Sequence, residues 1–95
     1  MIKYYKLFDM LNRCGMKRTD LKEIISANTI AKLGKGENVN TEVIDKLCKH
    51  LNCQPGDIME YVQYGYEGEN KKVYIAAYRN ESGNIEDVNI YPINE

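Results

Sequence analysis

The chain has 95 residues, a net charge of −1 and three cysteines. A chain of this length buries only about 60–65% of its unfolded surface, which allows one small domain, or a small domain with an appendage, at a thin stability margin that oligomerisation commonly widens. No apolar run approaches the ~18 residues of a membrane span, the start MIKYYKLFDML lacks the apolar stretch and cleavage site of a secretory signal, and an odd cysteine count fits reduced thiols in a cytoplasm better than a disulfide framework.

The first predicted helix runs from about Lys3 to Arg13. Tyr4, Leu7, Phe8, Leu11 and Cys14 recur at three- and four-residue steps and make one apolar stripe, and Gly15 is placed to end it. A second helix starts near Lys17-Arg18 and carries Leu21, Ile24 and Ile25. Ser26 is placed to cap a third helix by accepting a bond from a free backbone N–H. Ile30 and Leu33 face inward from that helix, Asn28, Thr29 and Lys32 face outward, and Gly34 and Gly36 end it. Asn40 caps a fourth helix, Thr41 to about Leu51, with Val43, Ile44, Leu47, Cys48 and Leu51 on its apolar face and Asn52 as a left-handed exit. Gln54-Pro55 suits the start of a fifth helix, because proline at the first helical position loses only an N–H that has no partner. Ile58, Met59 and Val62 complete this part.

Residues 63–72, QYGYEGENKK, read as a polar linker. The period then changes. Val73 to Tyr78 is rich in strand formers, Arg79 to Asn84 is turn chemistry, and Val88-Asn89-Ile90-Tyr91 alternates until Pro92. The predicted fold is therefore mainly α: a five-helix domain over residues 1–62, a linker over 63–72 and a C-terminal β-hairpin over 73–95.

The small net charge hides an uneven distribution. Residues 1–60 hold ten Lys/Arg against eight Asp/Glu, and residues 61–95 hold three against six. Within residues 13–35 there are six cations (Arg13, Lys17, Arg18, Lys22, Lys32, Lys35) and two anions (Asp20, Glu23). A local patch of that kind suffices for contact with phosphates, since the field near a site follows the nearby charges. The same charges also suit a solvated, mixed-charge helix surface.

Two short helical segments meeting at Ile25-Ser26, with basic and small polar side chains on the second, have the layout of a helix-turn-helix. Over residues 4–60 the chain resembles the Cro- and phage-repressor-like family, also called the xenobiotic-response-element family. The resemblance rests on Leu7, Leu11, Gly15-Met16, Leu21, Thr29-Ile30-Ala31-Lys32-Leu33, Lys35-Gly36, Val43, Ile44, Leu47, Leu51 and Cys53-Gln54-Pro55-Gly56-Asp57-Ile58-Met59. It implies a repressor-type, sequence-specific DNA-binding regulator. Ser26, Asn28, Thr29 and Lys32 would meet base edges, and Lys17, Arg18, Thr19 and Lys35 would meet the phosphate backbone. The residue types suit those roles: Asn pairs with adenine, a Thr methyl with thymine's methyl, and Lys with guanine acceptors. The chain departs from the family's pattern at several points. The second-to-third helix connection is short and lacks the usual glycine, Lys17 stands for a capping Ser, Arg18 for a frequent Gln, Lys22 for Ala, and Gly34 for a frequent Glu.

Other chemistries find less support. Cys48, His50 and Cys53 lack a second Cys-x-x-Cys pair, so structural packing of the cysteines is preferred over a metal site, and no cofactor is expected. No nucleophile–base constellation points to an enzyme. Gly34-x-Gly36 is a helix end and not a dinucleotide fingerprint, because no strand precedes it. Of the eight tyrosines, Tyr61, Tyr64 and Tyr66 cluster at the linker, where core or interface use is expected. The expected partners are double-stranded DNA and a second copy of the chain, the latter through Val73, Ile75, Val88 and Ile90 of the hairpin, since a lone two-stranded ribbon is marginal in water. The competing reading is a protein-interaction module of antirepressor or antitoxin type, using the helical domain or the acidic hairpin.

Overall fold

A computed structural model describes residues 1–93. The described residues form strand β1 (Ile2–Lys3), helix α1 (Tyr5–Arg13), a 3-10 helix (Arg18–Glu23), α2 (Ala27–Lys35), α3 (Thr41–Leu51), a second 3-10 helix (Pro55–Asp57), and strands β2 (Glu60–Tyr61), β3 (Gln63–Glu67), β4 (Lys71–Arg79) and β5 (Ile85–Pro92). By its contacts the chain divides into two compact units, residues 2–60 and Met1 with residues 61–95.

This corrects the expectation of five helices and a simple hairpin. The second expected helix is a 3-10 segment and the fifth is a three-residue 3-10 turn. Both are closed by the same device. Asp20 Oδ2 accepts the Lys17 N–H at 2.7 Å while Lys17 O accepts the Asp20 N–H at 3.0 Å. Asp57 Oδ2 accepts the Gln54 N–H at 2.9 Å while Gln54 O accepts the Asp57 N–H at 2.9 Å. The aspartate three residues on satisfies the N–H of the residue that opens each segment, whose own side chain makes no cap bond, and both segments remain tight turns.

The core of residues 2–60 is one apolar cluster: Tyr4, Leu7 and Leu11 of the first helical stripe, Leu21 and Ile25, Ile30 and Leu33, Ile44 and Leu47, and Ile58. The helix ends follow the residues that punctuate them. Asn40 Oδ1 accepts the Val43 N–H at 3.1 Å, and Asn52 leaves α3 in the left-handed region at φ 53. Gly36 ends α2 at φ 69, and an added Cβ there would meet Lys3 side-chain atoms at 3.0–3.1 Å, so glycine answers both a backbone and a space requirement.

The strands form two sheets. β1 and β2 make a short two-stranded sheet, and β3, β4 and β5 make a three-stranded antiparallel sheet in that order. The expected simple hairpin is instead part of a three-stranded sheet: β4 and β5, joined by a turn at residues 80–84, are preceded by β3 in residues read as linker. Asn80 holds the β4–β5 turn, its Oδ1 accepting the Ser82 and Asn84 N–H groups at 3.0 and 3.1 Å. The register Gly65–Val73–Pro92, Tyr64–Tyr74–Tyr91 and Gln63–Ile75–Ile90 sorts the sheet into two faces. One carries Val73, Ile75, Ala77, Val88 and Ile90, the other Tyr64, Tyr66, Tyr74, Tyr78 and Tyr91.

Replacing Asp20 by Ala removes the acceptor for the Lys17 amide. The expected outcome is a loss of about 1 kcal/mol in unfolding free energy, the net worth of one hydrogen bond, read as a lower urea midpoint with an unchanged slope.

Candidate nucleic-acid interface

The α2 surface is set by its cap and its buried side. Ser26 sits in extended geometry, and its Oγ accepts the Thr29 N–H at 3.1 Å and lies 2.9 Å from Thr29 Oγ1. Ile30 and Leu33 are buried, which turns the opposite side to solvent. With about 3.6 residues per turn, Asn28, Ala31 and Lys35 share the outward stripe, and all three are exposed. Lys32 is half-buried beside that stripe, and Thr29 is half-buried nearer the core.

The four residues expected at base edges are thus separated by geometry. Asn28 stands in the open with its amide unengaged within the described residues, and Lys32 flanks it. Ser26 and Thr29 use their hydroxyls in the helix cap. Ala31 gives no polar signal in the sequence, although its spacing from Asn28 and Lys35 places it on the same stripe. Its methyl group is the kind that meets a thymine methyl.

Lys17, Arg18, Thr19 and Lys35 are all exposed. Asp20 occupies the Lys17 amide, so an anion at this end would be met by the Lys17 and Arg18 side chains and not by that N–H. Arg13 is paired with Asp9 at 3.1 Å. Among the described residues, Lys17, Arg18, Lys22, Lys32 and Lys35 have no carboxylate within ion-pair distance. Five of the six cations in residues 13–35 therefore keep their charge for the outside. A shallow polar depression beside the amino end of α2 is lined by Lys22, Ser26, Thr29 and Lys46 among others. Glu23 also lines it, and Lys46, 3.9 Å from Glu42, is answered within the molecule as Arg13 is.

The hairpin residues divide as well. Val73 is 1% exposed and unavailable to a partner, Ile75 is half-buried, and Val88 and Ile90 are 45% and 48% exposed. Ile75 leans over Gly65, where an added Cβ would meet the isoleucine side chain.

Cys48 and Cys53 have a structural account, whereas Cys14 is exposed. Cys53 N–H donates to Cys48 O at 3.0 Å across the left-handed Asn52, the closure that brings the side chains flanking a helix end together. Burial first, then the neighbouring Cys48 and Asp57, push the Cys53 thiol pKa up, which disfavours the thiolate that a metal needs. Among the described residues no group of three or more His, Cys, Asp or Glu is placed to hold a metal ion. No helix among them is long and apolar enough to cross a membrane.

A capped, solvent-facing helix with free cations, preceded by a tight helical turn on a shared apolar core, is the arrangement of a helix-turn-helix. Residues 6–63 match the Cro/C1-type helix-turn-helix DNA-binding domain, and the chain belongs to that family. It is 39% identical over 75 residues to the uncharacterized HTH-type transcriptional regulator YozG of Bacillus subtilis (strain 168), an alignment covering 66% of this chain and 89% of that protein. Among solved structures it is similar to the transcriptional regulator VanUg, with 44% identity, a TM-score of 0.59, and coverage of 62% of this chain and 81% of that one.

Protein purified without chelator is expected to carry no stoichiometric zinc by elemental analysis. One equivalent per chain would contradict the structural role given to Cys48 and Cys53.

Proposed function

We propose that this protein is a sequence-specific transcriptional regulator that binds duplex DNA as a homodimer through α2. The observation that carries the reading is the α2 surface itself. Asn28, Ala31 and Lys35 face solvent as one stripe flanked by Lys32, held by Ser26 at one end and Gly36 at the other, with unpaired cations around it. An α-helix of this width fits the major groove, where an asparagine amide can make both of adenine's hydrogen bonds and cations can meet phosphates. The similarity to proteins described as transcriptional regulators supports the same reading.

The homodimer is proposed from the sheet of residues 63–92. Among the described residues β5 pairs with no strand but β4, which makes it an edge strand of the sheet. Val88 and Ile90 expose apolar side chains beside that edge. An open, apolar edge strand is a template for pairing with another strand, and a second copy supplies one of matching chemistry. A dimer brings two copies of α2 to one duplex, as reading two half-sites requires. The exposed Val88 and Ile90 are also the one observation that favours docking of a different protein.

Titration of the full chain against genomic fragments tests the DNA reading, and capture of no fragment at low salt would defeat it. Asn28→Ala is expected to cost about 1–3 kcal/mol on the preferred site and much less on random duplex. Equal losses on both would show that α2 does not read bases.

Sedimentation tests the dimer. The full chain is expected to run as a dimer at tens of micromolar, and Ile90→Glu as a monomer with weaker binding to the preferred site. A full-length chain that stays monomeric would rule out the homodimer.

A further inference from the structure

Arg18 is exposed, yet its guanidinium is not loose. Its central carbon lies 4.0 Å from the centroid of the Phe8 ring, on α1. On another side it approaches α2 at Gly34, where a Cβ would stand 2.8 Å from Nη1 and 3.8 Å from the central carbon. The arginine plane is thus backed by an aromatic ring and admitted by a missing side chain. Three separate segments, α1, the 3-10 helix and α2, converge on one cation. No carboxylate among the described residues pairs with it.

A guanidinium held against a ring keeps its edge N–H donors for an external acceptor, and it has already lost much of the rotamer freedom that a free arginine gives up on binding. We infer that Phe8 and Gly34 are positioning residues that pre-set Arg18 as a phosphate clamp beside the recognition helix. The inference rests on the DNA-binding reading and adds a requirement to it. Gly34 lies inside α2 with ordinary helical geometry, where alanine is the better helix former. Glycine leaves open there the space that Arg18 occupies.

That requirement sets stability and binding against each other. Gly34→Ala is expected to raise the denaturation midpoint or leave it unchanged, because the helix gains propensity and the displaced group is the far end of a flexible side chain. The same substitution is expected to weaken binding to a random-sequence duplex by about threefold, the scale of a lost exposed cation–π arrangement. Phe8→Leu and Arg18→Lys are expected to weaken binding similarly, and Phe8→Tyr, which keeps the ring, to retain it. Arg18→Ala is expected to lower the slope of log affinity against log salt by about one phosphate's share. Wild-type affinity in both Gly34→Ala and Phe8→Leu would overturn the inference and leave DNA binding standing. Absence of duplex binding by the wild-type chain at low salt would remove the DNA reading and this inference together.

Discussion

The surface that α2 presents depends on the burial of Ile30 and Leu33 in the cluster with Leu21, Ile25 and Leu47. A nine-residue helix is too short to be stable in water by itself, so its orientation is set by what its apolar side covers. Burial of each such side chain contributes about 1.5–3 kcal/mol. Rotating the helix by one residue would forfeit that contribution and carry Asn28 and Lys35 out of solvent. The outward stripe is therefore a consequence of the inward one. Ser26 and Gly36 fix where the helix begins and ends, and the core fixes which way it faces.

Charge works on that frame at a local scale. The chain as a whole is close to neutral, and a neutral protein has no general attraction to nucleic acid. What matters is which cations are already answered within the molecule. Arg13 is answered by Asp9 and Lys46 by Glu42, whereas Lys17, Arg18, Lys22, Lys32 and Lys35 have no carboxylate partner among the described residues. The surplus of acidic residues in 61–95 lies outside the unit that carries α2.

Much of this frame was legible in the sequence because short-range chemistry wrote it. Ser26, Asn40 and Asn52 mark helix ends by side-chain and backbone preferences that need no tertiary context, and α3 spans Thr41–Leu51 as its periodicity requires. The turn between β4 and β5 was equally local. The 3-10 segments were less legible, since Leu21, Ile24 and Ile25 fit either helical period and the closing Asp20 looks like any surface acid. β3 was hidden by polarity: Gln63-Tyr64-Gly65-Tyr66-Glu67 carries a two-residue alternation of tyrosine that its glycine and charges mask. The Arg18 arrangement was not legible at all. Phe8, Arg18 and Gly34 are far apart in sequence, and only the fold makes them neighbours. Two departures from the family's pattern, Arg18 and Gly34, prove to touch each other, which gives a physical reason for their joint presence.

The central claim is that α2 and the cations around it meet the phosphates of duplex DNA. The salt dependence of duplex binding by the full chain tests it most directly. Each neutralised phosphate contributes roughly 0.9 to the slope of log affinity against log salt. A linear fall with a slope equivalent to at least two phosphates is expected. A flat dependence, or no duplex binding at low salt, would contradict it.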